Sequence, residues 1–379
     1  MPVMQSPPGA EIILDGRRYL YFGGTGYLGL QGHGEVLRAA GEAALHYGIG
    51  SATSRSGFGD TPPALEVERQ AALWFDAGDA LYVPSGYMGN HILVLALAGS
   101  FERVFVDELA HYCVQEAARL SGEAVSTFRH RDADDLRSRL RSELPPGGRA
   151  LVMSDGIFAA LGRIAPIPQY ASILAEYPGS ILLIDDAHGI GVLGAAGRGT
   201  LEHLGLFEGV NTTRPGDPPS ECPQRFFCST LSKAVGGFGG ILPGSRTLID
   251  RLKATSPYYR GASGTPVPVA AATARALQIV RTQPELRARL GQNVRAVKSG
   301  LRGLGLPTDE TPVPIVSISV GTAQTMQQLH QRLLAEGILV PYMPAYAGLG
   351  PQGALRLAVF ATHTEAMIAR LLDELRRAL

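Results

Sequence analysis

The chain has 379 residues, 34 lysines and arginines against 34 aspartates and glutamates, and so no formal net charge. That length suits two domains of unequal size. The lack of basic runs speaks against a nucleic-acid or charged-membrane binder. No apolar stretch nears the ~20 residues of a membrane span, and no basic-then-apolar leader opens the chain. Cys113, Cys222 and Cys228 form no CxxC pair, which argues against a disulfide framework or a zinc site and fits a cytoplasmic protein.

Residues 1–18 read as a short extended arm, polar around Asp15-Gly16. Tyr19-Leu-Tyr-Phe-Gly-Gly-Thr25-Gly26-Tyr27-Leu28-Gly29-Leu30 comes next. Helical spacing covers 35–47, ended by Gly48 and Gly50, and returns over 65–75. A strand at 80–83 runs through Pro84-Ser85-Gly86-Tyr87 into a helix. Free N–H groups at such a start can hold a phosphate; an ordinary βα turn is the plainer alternative. A strand at 103–107 precedes His111, and a lone histidine near a strand end is more often structural than functional. Strands are expected at 124–128, 149–153, 181–184, 226–229 and 240–243, with helices between them, for example at 132–141 and 168–176. Strand alternating with helix predicts a doubly wound, mostly parallel sheet. The proline-rich stretch 211–223 breaks the pattern as a surface loop with no readable function. After Ser263-Gly264-Thr265-Pro266, a helix at 269–281 leads to a smaller α+β region with strands at 315–320 and 354–359 and helices at 323–336 and 364–379. The expected division is 1–40 as arm and start of the small domain, 41–265 as the large domain and 266–379 as the C-terminal small domain.

Two stretches carry the chemistry. Phe226-Phe-Cys-Ser-Thr230-Leu-Ser-Lys233 delivers a lysine just past a strand, with glycines crowding residues 236–240. A buried ammonium is costly, and desolvation lowers its pKa, which lets the amine attack a carbonyl to form a Schiff base. Alone, the stretch reads better as a solvated lysine on a loop. Ser180-Ile-Leu-Leu-Ile-Asp185-Asp186-Ala187-His188 is a buried-strand pattern ending in two carboxylates and a histidine. Ligands of open α/β sheets sit outside the strands' carboxyl ends, so an acid leaving one strand and a lysine leaving the next are natural neighbours. Pyridoxal 5'-phosphate needs such a pair, the carboxylate keeping its ring nitrogen protonated.

Asp185-Asp-Ala-His188-Gly-Ile-Gly-Val-Leu-Gly-Ala-Ala-Gly-Arg198-Gly resembles the signature of the α-oxoamine synthases, pyridoxal-phosphate enzymes that join an amino acid to an acyl thioester. A looser similarity runs from about Tyr19 to the C-terminus. The resemblance implies a fold-type-I α/β enzyme: a large domain with a doubly wound, mostly parallel seven-stranded sheet, and a smaller C-terminal α+β domain. It also implies a homodimer with shared active sites and no metal. By the same resemblance Lys233 carries the cofactor and then acts as the base at the α-carbon. Asp185 meets the ring nitrogen, His188 the phenolic oxygen, and His111 covers a ring face. Ser85, Gly86, Tyr87 and Thr230 belong to the cofactor site, and Thr265 reaches the phosphate of the other subunit. Arg356, set in Leu355-Arg356-Leu357 ahead of Ala361 and His363, clamps the amino-acid carboxylate, with Thr25 and Tyr27 beside the substrate. A planar guanidinium suits that contact; a surface arginine on an edge strand is the alternative.

The chain departs from the family in places. Thr25-Gly26 stands for Asn-Asp and Pro62 for a histidine. In Asp155-Gly-Ile-Phe-Ala159-Ala-Leu161-Gly162, Ala159 stands for a serine that would reach the phenolic oxygen and Leu161 for an acid. With the cofactor residues retained, these changes predict altered use of the acyl donor: a bulkier or less polar group, or a thioester other than that of coenzyme A. The expected product is an α-amino ketone, with decarboxylation. Three rivals compete with this reading. Gly189-Ile-Gly191-Val-Leu-Gly194 spells GxGxxG, but Asp-Asp-Ala-His intervenes between strand and glycines, against a dinucleotide turn. A serine–lysine hydrolase fails because Thr230 holds the nucleophile position. An aminotransferase needs the same lysine and acid; His111 speaks against it.

Overall fold

Seven short strands build the central sheet of the computed structural model, which describes residues 2–212, 223–345 and 348–379. In chain order they are β1 (Asp79–Val83), β2 (Arg103–Asp107), β3 (Ala124–Phe128), β4 (Ala150–Asp155), β5 (Ile181–Asp185), β6 (Gln224–Thr230) and β7 (Gly240–Gly244). They lie in the order β1-β7-β6-β5-β4-β2-β3. Only β7 runs antiparallel to its neighbours. β4, β5 and β7 are buried along their whole length, as strands covered on both faces must be. Alternate side chains feed opposite layers: Leu182 and Ile184 join one apolar cluster, Ile181 and Leu183 the other. Most of the 211–223 loop lies outside the described residues.

The small sheet pairs Ala354–Ala358 with Ile315–Ile318 and Tyr342–Met343, all antiparallel. The N-terminal arm is folded rather than simply extended. Glu11–Leu14 and Arg17–Tyr21 make a hairpin turned by Asp15 and Gly16, both at positive φ (47° and 77°), as the twist of a two-residue hairpin turn requires. Its second strand pairs with Ile338–Leu339, tying the start of the chain to its C-terminal part. The helix Pro62–Phe75 begins at Pro62, which lies outside the core and sits where a missing N–H is harmless.

His363 locks this joint. Its Nδ1 accepts from the Phe360 N–H (3.0 Å), its Nε2–H donates to the Tyr21 carbonyl (2.9 Å), and its ring stacks on Phe22. Burial holds its pKa down to about 4. A histidine depressed below its unfolded value of ~6.5 contributes stability above that pH and loses it as pH falls toward the folded pKa. The loss should reach on the order of 3 kcal/mol. Urea midpoints of His363→Gln should therefore be lower than wild type at pH 7 but fall less between pH 6.5 and 4.5. Parallel declines in the two proteins would refute the assignment.

Candidate active site

The carboxyl ends of β4, β5 and β6 converge on one point. The strand register sets Asp155 beside Asp185, and Asp185 beside Cys228. Past β6 the chain turns sharply, with the Leu231 N–H donating to the Gly239 carbonyl (2.8 Å) and the Gly237 N–H to that of Leu231 (2.9 Å). Lys233 lies inside this turn. Its backbone carbonyl is held by Gln31 Nε2 at 2.9 Å. A cavity of about 230 Å³ opens here, walled by Gly86, His111, Asp155, Asp185, His188 and Lys233 among others.

Lys233 Nζ is 2.9 Å from His188 Nε2, and His188 Nδ1 is 2.8 Å from the Tyr27 hydroxyl. Burial lowers the Lys233 pKa, with Asp185 and Asp155 opposing. Burial, then the Lys233 charge, holds His188 well below the usual imidazole range. Burial raises the Tyr27 phenol. All three effects favour neutral groups, so the chain Tyr27–His188–Lys233 can pass a hydrogen bond to an uncharged, nucleophilic amine.

Across the cavity, Asp185 Oδ1 accepts from the Ala187 N–H (3.0 Å) and Oδ2 from Asn90 Nδ2 (2.6 Å) and the Cys113 thiol (3.3 Å). Burial lowers the His111 pKa against the pull of Asp185, and the His111 N–H donates to Asp155 Oδ2 (2.7 Å). Burial, reinforced by Asp185, raises Asp155 well above the carboxylate range. Two adjacent acids disfavour a second charge here, which adds to the rise that burial imposes on Asp155.

The glycine-rich stretch after His188 serves packing. Asp186 accepts from the Thr200 N–H (2.6 Å) and hydroxyl (2.5 Å). A Cβ on Gly189 or on Gly199 would fall 2.0 Å from its oxygens. The GxGxxG pattern folds around this carboxylate, which leaves no dinucleotide turn.

At the helix start after β1, the Tyr87 N–H donates to Ser85 Oγ (3.2 Å). The Tyr87 hydroxyl donates to Glu116 (2.6 Å), which pushes its pKa up to about 12. A Cβ on Gly86 would meet Thr230 Cβ at 2.4 Å, so only glycine brings the backbone this close. Thr230 Oγ1 in turn donates to the Gly239 carbonyl (3.0 Å).

Ser85, Gly86, Tyr87, His111, Asp185, His188, Thr230 and Lys233 all reach the cavity wall. Four expected residues do not. Tyr27 is wholly buried and meets the site through His188. Thr25 is half-buried outside the wall. Arg356 donates from Nε to the Ala159 carbonyl (2.7 Å) and from Nη1 to that of Gly24 (3.1 Å). The Thr265 hydroxyl is buried without a partner among the described residues. Asn90, Cys113 and Asp155 join the site unforeseen from sequence; only the closeness of Cys113 to His111 along the chain hints at one of them. A second, water-sized cavity of about 20 Å³ adjoins His111 and Asp155 and is lined by Ala159 and Leu161, so these two departures border the site.

A desolvated amine, a hydrogen-bonded carboxylate and a glycine cradle at a helix start fit pyridoxal phosphate, and the unpartnered Thr265 hydroxyl leaves a donor to spare. Residues 19–375 match the aminotransferase class I and II family. The 8-amino-7-oxononanoate synthase of Cellvibrio japonicus (strain Ueda107) is 35% identical over 374 residues, covering 98% of this chain and 90% of that protein. That of Methylococcus capsulatus (strain ATCC 33009 / NCIMB 11132 / Bath) is 35% identical over 376 residues, covering 99% and 93%. Among solved structures, a serine palmitoyltransferase from S. paucimobilis with bound PLP–myriocin superposes at TM-score 0.88 with 27% identity, covering 100% of this chain and 92% of that one. Similarity of this extent, spanning both sheets and the lysine turn, places the chain in the class I and II aminotransferase family, within its pyridoxal-phosphate-dependent α-oxoamine synthase branch.

Proposed function

We propose that this protein condenses an amino acid with an acyl thioester, bound to coenzyme A or a carrier, and releases carbon dioxide, free thiol and an α-amino ketone. The carrying observation is His111: uncharged, capping a helix, and on one cavity wall with Asp185 and Lys233. There it would cover one face of a bound cofactor ring, with Asp185 placed to hold the ring nitrogen and Ser85–Tyr87 to hold the phosphate. Bound pyridoxal phosphate supplies a carbonyl carbon for the lysine amine and, once protonated on its ring nitrogen, an electron sink. Lys233 Nζ, whose ammonium form burial disfavours, takes the proton from the substrate α-carbon. That carbon bonds to the thioester carbonyl carbon, and the thiolate leaves with its electron pair. Carbon dioxide then departs, leaving its pair on the α-carbon, and Lys233 returns a proton there. His188, held by Tyr27, keeps the amine oriented.

Glycine, alanine and serine assayed against short-, medium- and long-chain acyl-CoA should release free thiol and carbon dioxide in equal amounts. Transfer of the amine to a keto acid instead would establish an aminotransferase. Ala159 and Leu161 put apolar side chains on one side of the small second cavity, which supports preference for a less polar acyl donor. Ala159→Ser should shift turnover toward shorter or more polar donors. Efficient wild-type turnover of alanine with pimeloyl-CoA, or glycine with acetyl-CoA, would show the departures to be neutral.

The same reading takes the working form as a homodimer. Leu45, Ile49 and Phe58 are large apolar side chains left exposed on one stretch of chain, which a second copy would cover. Cys113 and Cys228 are free and buried, in keeping with a cytoplasmic location. Pairing of the N-terminal hairpin with Ile338–Leu339 supports 1–40 and 266–379 as one small unit beside 41–265.

A further inference from the structure

Cys113 stands where two catalytic groups meet. Its Sγ lies 3.3 Å from Asp185 Oδ2 and 3.0 Å from His111 Nδ1, while its own backbone N–H donates to that same Nδ1 (3.3 Å). Asn90 Nδ2 reaches both Sγ (3.5 Å) and Asp185 Oδ2 (2.6 Å). A thiol carries one proton. His111 Nδ1 already has a donor in the backbone amide, and a carboxylate is the stronger acceptor. The thiol proton therefore belongs to Asp185. Because its Nδ1 must accept, His111 is fixed as the Nε2–H tautomer. Asp185 receives two side-chain donors on one oxygen, and together they fix where that carboxylate points.

We infer that Cys113 is a positioning residue: its thiol holds the Asp185 carboxylate aimed at the cofactor's ring nitrogen, while its backbone amide fixes the tautomer of His111, joining the two as one unit. Burial and the nearby Asp185 raise its thiol pKa, so it stays a donor across the working range. The other titratable groups around Asp185 are Asp155, Asp186, His111, Lys233 and Cys228. None of them donates a hydrogen bond to its side chain among the described residues, so loss of the thiol leaves only Asn90 and the Ala187 amide.

The inference rests on pyridoxal phosphate being the cofactor, and the test separates the two claims. Wild type, Cys113→Ala and Cys113→Ser are loaded with pyridoxal phosphate. Three quantities are read: the pH midpoint of the near-visible absorbance, the rate of cofactor release on dilution, and kcat and KM for the amino acid. In Cys113→Ala, removal of a hydrogen bond to a charged group should speed release and lower kcat on the order of tenfold, and displace the midpoint, with KM nearly unchanged. In Cys113→Ser, whose hydroxyl can donate to the same oxygen, all three should return to within about twofold of wild type. A wild type that takes up no pyridoxal phosphate would refute the cofactor reading itself. A wild type that loads, alongside Cys113→Ala with an unmoved midpoint and release rate, would refute the role of Cys113. So would a Cys113→Ser that behaves like Cys113→Ala, since packing alone would then explain both.

Discussion

Lys233→Ala should bind pyridoxal phosphate only non-covalently and lose turnover by on the order of 10² to 10⁴, the range general acid–base catalysis alone commands, while remaining folded. The chain has only three lysines, Lys233, Lys253 and Lys298. Lys298 is committed elsewhere: its Nζ donates to Asp309 (2.5 Å) and to the Thr311 carbonyl (2.7 Å). Lys253 lies near the end of the helix Arg246–Thr255, away from the cavity wall. Lys233 alone lines the cavity, without a carboxylate partner and with its Nζ on a neutral imidazole. Burial there lowers the fraction of ammonium and so raises the fraction able to attack a carbonyl. Borohydride reduction and then peptide mapping should find the pyridoxyl group on Lys233 in wild type and on no lysine in the variant. The group on Lys253 or Lys298 would overturn the assignment.

The large sheet is legible in the sequence because most of its strands are apolar runs bounded by glycine, proline or acid, and burial on both faces leaves little else to encode; the edge strand β3, with Ser126 and Thr127 and only Phe128 buried, is the exception. Expected and observed strand ends agree within about two residues; β6, for example, is expected at 226–229 and spans Gln224–Thr230. The N-terminal hairpin reads as an extended arm although Asp15-Gly16 marks its turn, because its strands are short and polar on one side. The long helix Glu285–Gly303 escapes sequence reading; its arginines and glycines dilute the apolar stripe. Lys233, Asp185 and His188 stand out because strand ends expose them at one level of the sheet. Asn90 and Cys113 do not, since each is an uncharged residue inside a helix that gains meaning only from the groups the neighbouring strands place opposite.

Arg356→Ala should raise KM for the amino acid by on the order of a hundredfold, the loss expected for charge-assisted hydrogen bonds to a carboxylate, with KM for the thioester nearly unchanged. The side chain is buried in mid-strand, where Ser317 opposes it across the small sheet. Its Nε and Nη1 are fastened to the Ala159 and Gly24 carbonyls, which leaves further donors of the fork for a substrate. Its charge helps depress both His188 and Lys233, so it acts on the catalytic pair despite standing off the cavity wall. Removing that charge should raise the Lys233 pKa, and cofactor attachment should then need a higher pH. Arg356→Lys keeps the charge but not the planar fork. It should therefore keep the pH profile of attachment while recovering only part of the lost KM. A strut between the two loops would behave differently: both variants would melt earlier, lose cofactor and show the same KM for the amino acid as wild type. That pattern would make Arg356 a packing residue and leave the substrate carboxylate without an assigned partner.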